Sequence, residues 1–414
     1  MKTPSFALLL TSLLLMSCGN RSVAQPVFSQ TLQMRHAQQA QLQNQLQNQI
    51  QQQVKPRSTV VVRQAKAVAK PTVTSTPPSA PPPRKPQDII PANPERTGEP
   101  LEIRLYRSYG HEQKLRIWGR VIHPKDEARA NAEDSKWKNL WRNIKNLSVE
   151  EAPGVKVALD LNGHRFEVTS NDEGMLEVDV DTPPGFEPGQ YTLRAALVSG
   201  QGVYAEPVET PFTLHPESDT SLGVVSDIDD TIVKSEVSEK IKAVGRLLLN
   251  NAFNSEPIPG TAELLRALEN QDGKVDGDTF YLSGSPLNFS NRIYDYLDYQ
   301  KYPQGPVYLK KWGFSENDDN PIQQSDYKLR RLREIMNFYP QKPFVFFGDS
   351  SEVDTEIYSQ IAREFPGRVK AIFINNVNGQ NPDESRFASV RLTTHAREAA
   401  EELVRLRLLK RSPF

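Results

Sequence analysis

At 414 residues the chain is too long for one ordinary domain and accommodates about two folded parts plus additional segments. Lysine and arginine (50) nearly cancel aspartate and glutamate (51), so no bulk charge points to nucleic acid or another polyanionic partner. A single cysteine, Cys18, excludes a disulfide framework within the chain.

The N-terminus reads as a targeting segment. Lys2 is a short basic region, and Phe6 to Met16 is an apolar run too short to span a bilayer. Leu15-Met16-Ser17-Cys18 resembles a bacterial lipoprotein processing site. That resemblance implies removal of residues 1–17, lipidation of Cys18, and an exported, membrane-anchored protein held by two or more acyl chains, since one chain alone holds weakly. Gly19 stands where an Asp would retain such a protein in the inner membrane, which favours the outer one. The competing reading is an ordinary secretory signal with an incidental cysteine.

Residues 18–100 read as a disordered tether. Half of the positions from Gln30 to Gln53 are Gln, and a third of those from Pro71 to Pro100 are Pro, the composition of a stiff, extended spacer. Leu42, Leu46 and Ile50 allow a transient helix, and Pro77–Arg84 could engage a proline-binding domain; a plain tether is the simpler reading.

Residues 101–216 read as an all-β, immunoglobulin-like sandwich. Period-two alternation marks Leu101–Tyr106, Leu115–Val121, Val155–Leu159, Leu176–Val180 and Tyr191–Leu197, with turns at Asn162-Gly163, Asp172–Gly174 and Pro183–Gly185. An insertion with Trp137, Leu140, Trp141, Ile144 and Leu147 at helical spacing, interleaved with basic residues, fits a helix packed on an interface, or one lying on a membrane.

Residues 217–414 alternate strand and helix, predicting a parallel sheet with helices on both faces. Strands are expected at Leu222–Ser226, Thr279–Leu282, Pro343–Phe347 and Val369–Ile374. Helices are expected at Ser238–Asn250, Thr261–Asn270, Asn291–Leu297, Tyr327–Phe338, Thr355–Phe365 and His395–Leu409.

The chemistry concentrates at the strand ends. Asp227-Ile228-Asp229-Asp230-Thr231 leaves an apolar strand, and Gly348-Asp349-Ser350-Ser351-Glu352-Val353-Asp354 leaves another. Between them come Ser283-Gly284-Ser285-Pro286 and Lys328. Two acidic groups at strand exits suit a hard divalent cation and a phosphoryl group. Asp227 can attack phosphorus once Mg2+ reduces the charge repulsion, and Asp229, on the same side, can move protons. The Ser283 hydroxyl and Gly284 N–H can hold phosphoryl oxygens, a lysine can offset transition-state charge, and Asp349 completes an oxygen cage for Mg2+. Each element has a plainer alternative: a Ca2+ loop at Asp227 and Asp229, though its turn glycine is absent; a strand-end hydrogen bond at Ser283; a helix cap at Asp354.

In this order the residues resemble the haloacid dehalogenase superfamily of aspartyl-phosphate phosphatases. More narrowly, Ser226–Ile232, Ser283–Pro286 and Gly348–Ser350 resemble the actin-patch type of Mg2+-dependent phosphatidate phosphatase. Tyr106-Arg107-Ser108-Tyr109-Gly110 and Gly119-Arg120-Val121 resemble its β-rich leader. The resemblance covers about residues 101–394. It implies a haloacid-dehalogenase-like fold, a nucleophile at Asp227, an acid/base at Asp229, Thr231, Ser283 and Lys328 in the catalytic set, and Mg2+ on Asp227, the Asp229 carbonyl and Asp349, with Asp354 nearby. The substrate implied is phosphatidate; a soluble phosphomonoester, a phosphoprotein, or a degenerate binding module are the alternatives. Two departures stand out: Tyr327 replaces the His usual before the motif lysine, leaving Lys310 or Lys311 as substitutes for Lys328, and Ser351 replaces a Gly.

No His lies between residues 216 and 394, which argues against a zinc cluster or His-based triad in the α/β part. The Gly-x-Ser-x-Gly elbow and a Gly-rich nucleotide loop are absent. The inserts on either side of Ser283–Pro286 are too short for a bulky lid, so an open site is expected. Arg405, Arg407, Lys410 and Arg411 beside Leu403, Leu406 and Leu409 read as core packing with a solvated basic edge, or as a lipid contact.

Overall fold

The computed structural model describes residues 98–124, 150–216, 218–233, 255–271, 273, 278–310, 324–351, 353–377 and 379–414. Cys18 and the targeting segment, the tether up to residue 97, the Trp-containing insertion, the helix expected over Ser238–Asn250, and Lys311 lie outside the described residues.

The first part is built of strands: β1 (Glu99–Pro100), β2 (Glu102–Leu105), β3 (Ser108–His111), β4 (Lys114–His123), β5 (Glu150–Glu151), β6 (Lys156–Leu161), β7 (His164–Thr169), β8 (Met175–Asp181), β9 (Gly189–Leu197), β10 (Val203–Tyr204) and β11 (Val208–His215). β1 pairs with β10. The rest form one ladder in the order β2-β4-β3-β11-β9-β6-β7, with β5 and β8 on the far edge of β4. β3 is the link: it runs antiparallel to β4 and parallel to β11. The ladder thereby faces itself, and Leu115, Ile117 and Val121 share a core with Val157, Leu159, Leu193 and Phe212.

Among the strands longer than two residues, three were not expected. Ser108–His111 is buried at every position, so it shows no period of two. His164–Thr169 is an edge strand without a fully buried residue, and Val208–His215 carries Pro211.

The second part contains β12 (Gly223–Ser226), α1 (Thr261–Glu269), β13 (Thr279–Pro286), α2 (Ser290–Tyr299), β14 (Val307–Lys310), α3 (Gln324–Phe338), β15 (Phe344–Asp349), α4 (Asp354–Glu364), β16 (Val369–Asn375), β17 (Arg391–Thr393) and α5 (Ala396–Arg405). The six strands pair in the order β14-β13-β12-β15-β16-β17, all parallel. Both sheet faces are apolar because both are covered. α1, α2 and α5 pack on Val224, Tyr281 and Val345, while α3 and α4 pack on Val225, Phe280 and Phe346. β14 and β17 are additional to the predicted strands and are only four and three residues long.

The last helix ends at Arg405 instead of Leu409. Arg407 adopts φ 60°, and the Leu408 and Leu409 amides turn back onto the Leu403 carbonyl. Leu409 is buried after the helix has ended, which explains why its apolar spacing read as helical.

From β12 the chain moves to β13 and β14, then returns to lay β15 on the other side of β12. The β12/β15 boundary is therefore the switch point of the sheet, where open α/β folds leave a crevice beyond their strand ends.

Candidate active site

Asp227 follows β12 and Asp349 ends β15, so the switch point carries the two acidic motifs side by side. The Asp227 amide bonds to the Phe347 carbonyl at 2.9 Å, carrying the ladder one residue beyond β12. The chain then turns sharply. Amides of Ile232 and Val233 both bond to the Ile228 carbonyl, and Asp230 sits at φ 54°, a left-handed conformation that Asp tolerates better than branched residues. The hydroxyls of Tyr296 and Tyr302 each donate to the Ile232 carbonyl at 2.9 Å, and Asn375 Nδ2 donates to the Asp230 carbonyl at 2.8 Å. The loop bearing both aspartates is thus held from three elements.

Lys328, in the first turns of α3, is fully buried and donates to Asp227 Oδ1 at 2.7 Å and to Asp354 Oδ1 at 2.6 Å. Asp354 opens α4 without capping it: the cap position is Val353, and the Asp354 carboxylate turns to Lys328. Thr231 Oγ1 lies 3.5 Å from Asp227 Oδ2. Asp349 Oδ1 accepts the Ser351 amide at 2.6 Å and the Ser351 hydroxyl as well, a second bond that a glycine at this position could not make. Gly348 leaves room for this packing, since a Cβ there would lie 2.6 Å from Asp354 Oδ2.

One carboxylate oxygen each of Asp227, Asp349 and Asp354 lies within 4.8 Å of the others, and all three residues are buried. An oxygen-only, carboxylate-rich set of this size suits a hard divalent cation. Two of these carboxylates share the Lys328 ammonium and the third lies beside them, so negative charge in the cluster favours a further cation.

Asp229 Oδ2 accepts two hydroxyls, Ser283 Oγ at 3.1 Å and Ser285 Oγ at 3.3 Å. The Ser285 amide in turn donates to Ser283 Oγ at 3.0 Å. Ser285 and Asn375 belong to the site although sequence reasoning gave them no role: a hydroxyl or amide carries no chemical signature until the fold gives it a partner. Ser283 is therefore directed at Asp229, with Gly284 between the two serines. Tyr327 is buried, with the guanidinium groups of Arg330 and Arg331 each 5.7 Å from its ring. Lys310 is also buried, at the end of β14.

A second titratable cluster lies at the opposite ends of the strands. His215, Asp219 and Asp278 could in principle hold a metal. The Lys342 ammonium already occupies that position, bonding to Asp219, Asp278 and, at 2.7 Å, to Ser221 Oγ. Here the cation is built into the chain.

Residues 222–376 match the family described as phosphatidate phosphatase APP1, catalytic domain. The segment contains Asp227, Asp229, Ser283, Lys328, Asp349 and Asp354, so the match covers every strand-end residue of the site. Phosphatidate phosphatase APP1 of Saccharomyces cerevisiae is 29% identical over 171 residues, 41% of this chain and 28% of the yeast protein. An uncharacterized protein of Schizosaccharomyces pombe is 25% identical over 219 residues, 51% of this chain and 34% of its own length. The chain thus spans about a third of these curated relatives. Among solved structures, a carbohydrate acetylesterase from Xanthomonas citri aligns over 77% of this chain and 67% of its own at 12% identity, with a TM-score of 0.26 that is too low to carry an argument.

Proposed function

We propose that this protein is a Mg2+-dependent phosphomonoester hydrolase that converts a phosphatidate-like lipid to diacylglycerol and phosphate through a phosphorylated Asp227. The supporting observation is the meeting of Asp227, Lys328, Asp349 and Asp354 at the switch point, with Asp229 and Ser283 alongside. In this reading the α/β part is haloacid-dehalogenase-like and the β-rich part immunoglobulin-like.

Asp227 attacks phosphorus, forming an acyl-phosphate bond as the bond from phosphorus to the glycerol oxygen breaks. Asp229 gives its proton to that leaving oxygen. Water then attacks the phosphorus, Asp229 takes the water's proton, and phosphate departs with the Asp227 carboxylate restored. Ser283 and the Gly284 N–H hold phosphoryl oxygens, and Lys328 offsets the charge that builds there. Asp227, the Asp229 carbonyl and Asp349, with Asp354 beside them, would hold Mg2+, which when bound would neutralise charge between the anionic nucleophile and the anionic substrate.

The apposition of Asp229 and Ser283 bears on order. Substrate phosphate must draw the Ser283 hydroxyl away from Asp229, so binding and the freeing of the acid/base are linked. Cys18 as a lipid anchor would place the enzyme as an exported lipoprotein on the periplasmic or outer side of an outer membrane, beside such a substrate.

The test uses full-length protein with Mg2+, measuring phosphate release from phosphatidate vesicles against a panel of soluble phosphomonoesters and a phosphopeptide. Asp227→Asn is expected to lose turnover by more than about 1,000-fold while melting as the parent does. Preference for a soluble ester or the phosphopeptide would overturn the lipid assignment, and full turnover by Asp227→Asn would overturn the nucleophile. Absence of any phosphate release would favour a degenerate binding protein.

A further inference from the structure

The segment that carries Ser283 and Ser285 is weakly held by its own sheet. β13 pairs with β12 up to Tyr281 and with β14 at Tyr281 and Leu282, and pairing resumes only at Pro286. Among the described pairings, Ser283, Gly284 and Ser285 have no ladder partner on either side. Residues released from a ladder take their position from their neighbours. Here the neighbour is the short 3-10 turn Leu287–Phe289 that leads into α2.

That turn is gripped by the β-rich part. Arg120, on β4 and 6% exposed, donates from Nη1 to Asn288 Oδ1 at 2.7 Å. Its Nη2 is anchored on Glu151 Oε1 at 2.8 Å. Leu287 and Phe289 share an apolar cluster with Tyr106. Arg107 fastens the helix that follows: Nη2 reaches Asp298 at 2.6 Å, its amide bonds to the Tyr294 hydroxyl at 3.2 Å, and its guanidinium lies 4.7 Å from the Tyr294 ring centre. Arg107 and Arg120 lie outside the matched catalytic segment, yet both act on the stretch immediately after Ser285.

We infer that Arg120 is a positioning residue: through Asn288 it sets the Ser283–Ser285 turn, and through that turn the hydroxyls that meet Asp229. The inference deepens the phosphatase reading and rests on it for its kinetic consequence. A guanidinium is needed because one planar group bridges Asn288 and Glu151 at once, which a lysine cannot reproduce.

The test compares full-length Arg120→Ala, Asn288→Ala, the double variant and Asn288→Asp, using dioleoyl phosphatidate in mixed micelles with Mg2+. Each alanine variant should lower kcat about tenfold with KM within about twofold, the loss expected for one charge-assisted hydrogen bond acting on geometry. The double variant should be no worse than either single one, and Asn288→Asp, which keeps the acceptor, should stay within about twofold of the parent. Hydrogen exchange over residues 283–289 should quicken in both alanine variants and stay unchanged over β15. Additive losses, a changed KM with unchanged kcat, or unchanged exchange would overturn the inference. Should the parent protein release no phosphate from any substrate, the phosphatase reading falls, and the exchange result alone still decides whether Arg120 holds the turn.

Discussion

The Lys328 ammonium lies 2.7 Å from Asp227 Oδ1, a contact closed across 101 residues of chain. The same ammonium reaches Asp354, so one buried cation sets the place of two carboxylates on different elements.

Lys328→Met removes that cation and leaves both carboxylates buried. Turnover should fall about 100- to 1,000-fold, the scale of losing one pre-placed electrostatic group. Lys328→Arg should not restore it, because a planar guanidinium does not fit where a compact ammonium is fully enclosed. Phosphate release and a thermal melt of each variant check this.

Chelation by EDTA should stop phosphate release, and Mg2+ should restore it. Binding of the ion should also raise the melting temperature without substrate, since a ligand at 100 times its Kd adds about 2.7 kcal/mol to stability. Asp349→Asn should weaken that thermal response while the apo protein stays folded. An equal Mg2+ shift in Asp349→Asn would remove Asp349 from the metal site.

Lys342 tests the far end of the sheet. Burial works against its ammonium, but the carboxylates of Asp278 and Asp219 outweigh burial and raise its pKa. Burial likewise pushes Asp219 up, yet the His215 hydrogen bond and the Lys342 charge bring it well below the usual carboxylate range. Asp219 therefore adds stability above its unfolded pKa near ~3.9, lost as pH falls through the lower folded value. The lysine's share is whole below its ordinary 10.5 and is lost as pH rises through the raised value. Lys342→Met should cost about 3–5 kcal/mol at neutral pH, with kcat unchanged wherever the variant is folded. Urea unfolding beside steady-state kinetics reads both, and the stability deficit should shrink in acid as the carboxylates protonate.

Gly348→Ala places a Cβ 2.6 Å from Asp354 Oδ2 and 2.7 Å from a Tyr358 ring carbon, both on fully buried residues. Overpacking of this kind costs about 1–3 kcal/mol. Because the displaced group is a partner of Lys328, kcat should fall beyond what the lowered melting temperature explains. Activity at a temperature well below the melt separates the two effects.

The acidic motifs were legible because their signals are local: an apolar run of strand length, then carboxylates two residues apart on one side of the chain. Lys328 was legible mainly through its order among the other motifs, since a lysine within a helix is ordinarily a surface residue, and only the contact with Asp227 and Asp354 sets it apart from Lys310. The Lys342 cluster was illegible for a different reason. Lys342 and Asp219 are 123 residues apart and meet only at the strand starts. Ser285 was readable only as a member of the run Ser283–Pro286, and its bond to Asp229 depends on how β13 leaves the ladder.

Tyr109 stands edge-on to Trp118, Phe280 and Phe338 at centroid distances of 5.5, 5.5 and 4.9 Å, and Trp118 packs against the apolar clusters of both faces of the parallel sheet. The change of pattern near residue 216 is therefore a boundary of connectivity and not of cooperativity. Cutting the chain there would strip aromatic surface from both halves. The β-rich part and the α/β part are expected to melt in a single transition, and a fragment starting at residue 217 is the wrong unit to express, transplant or compare.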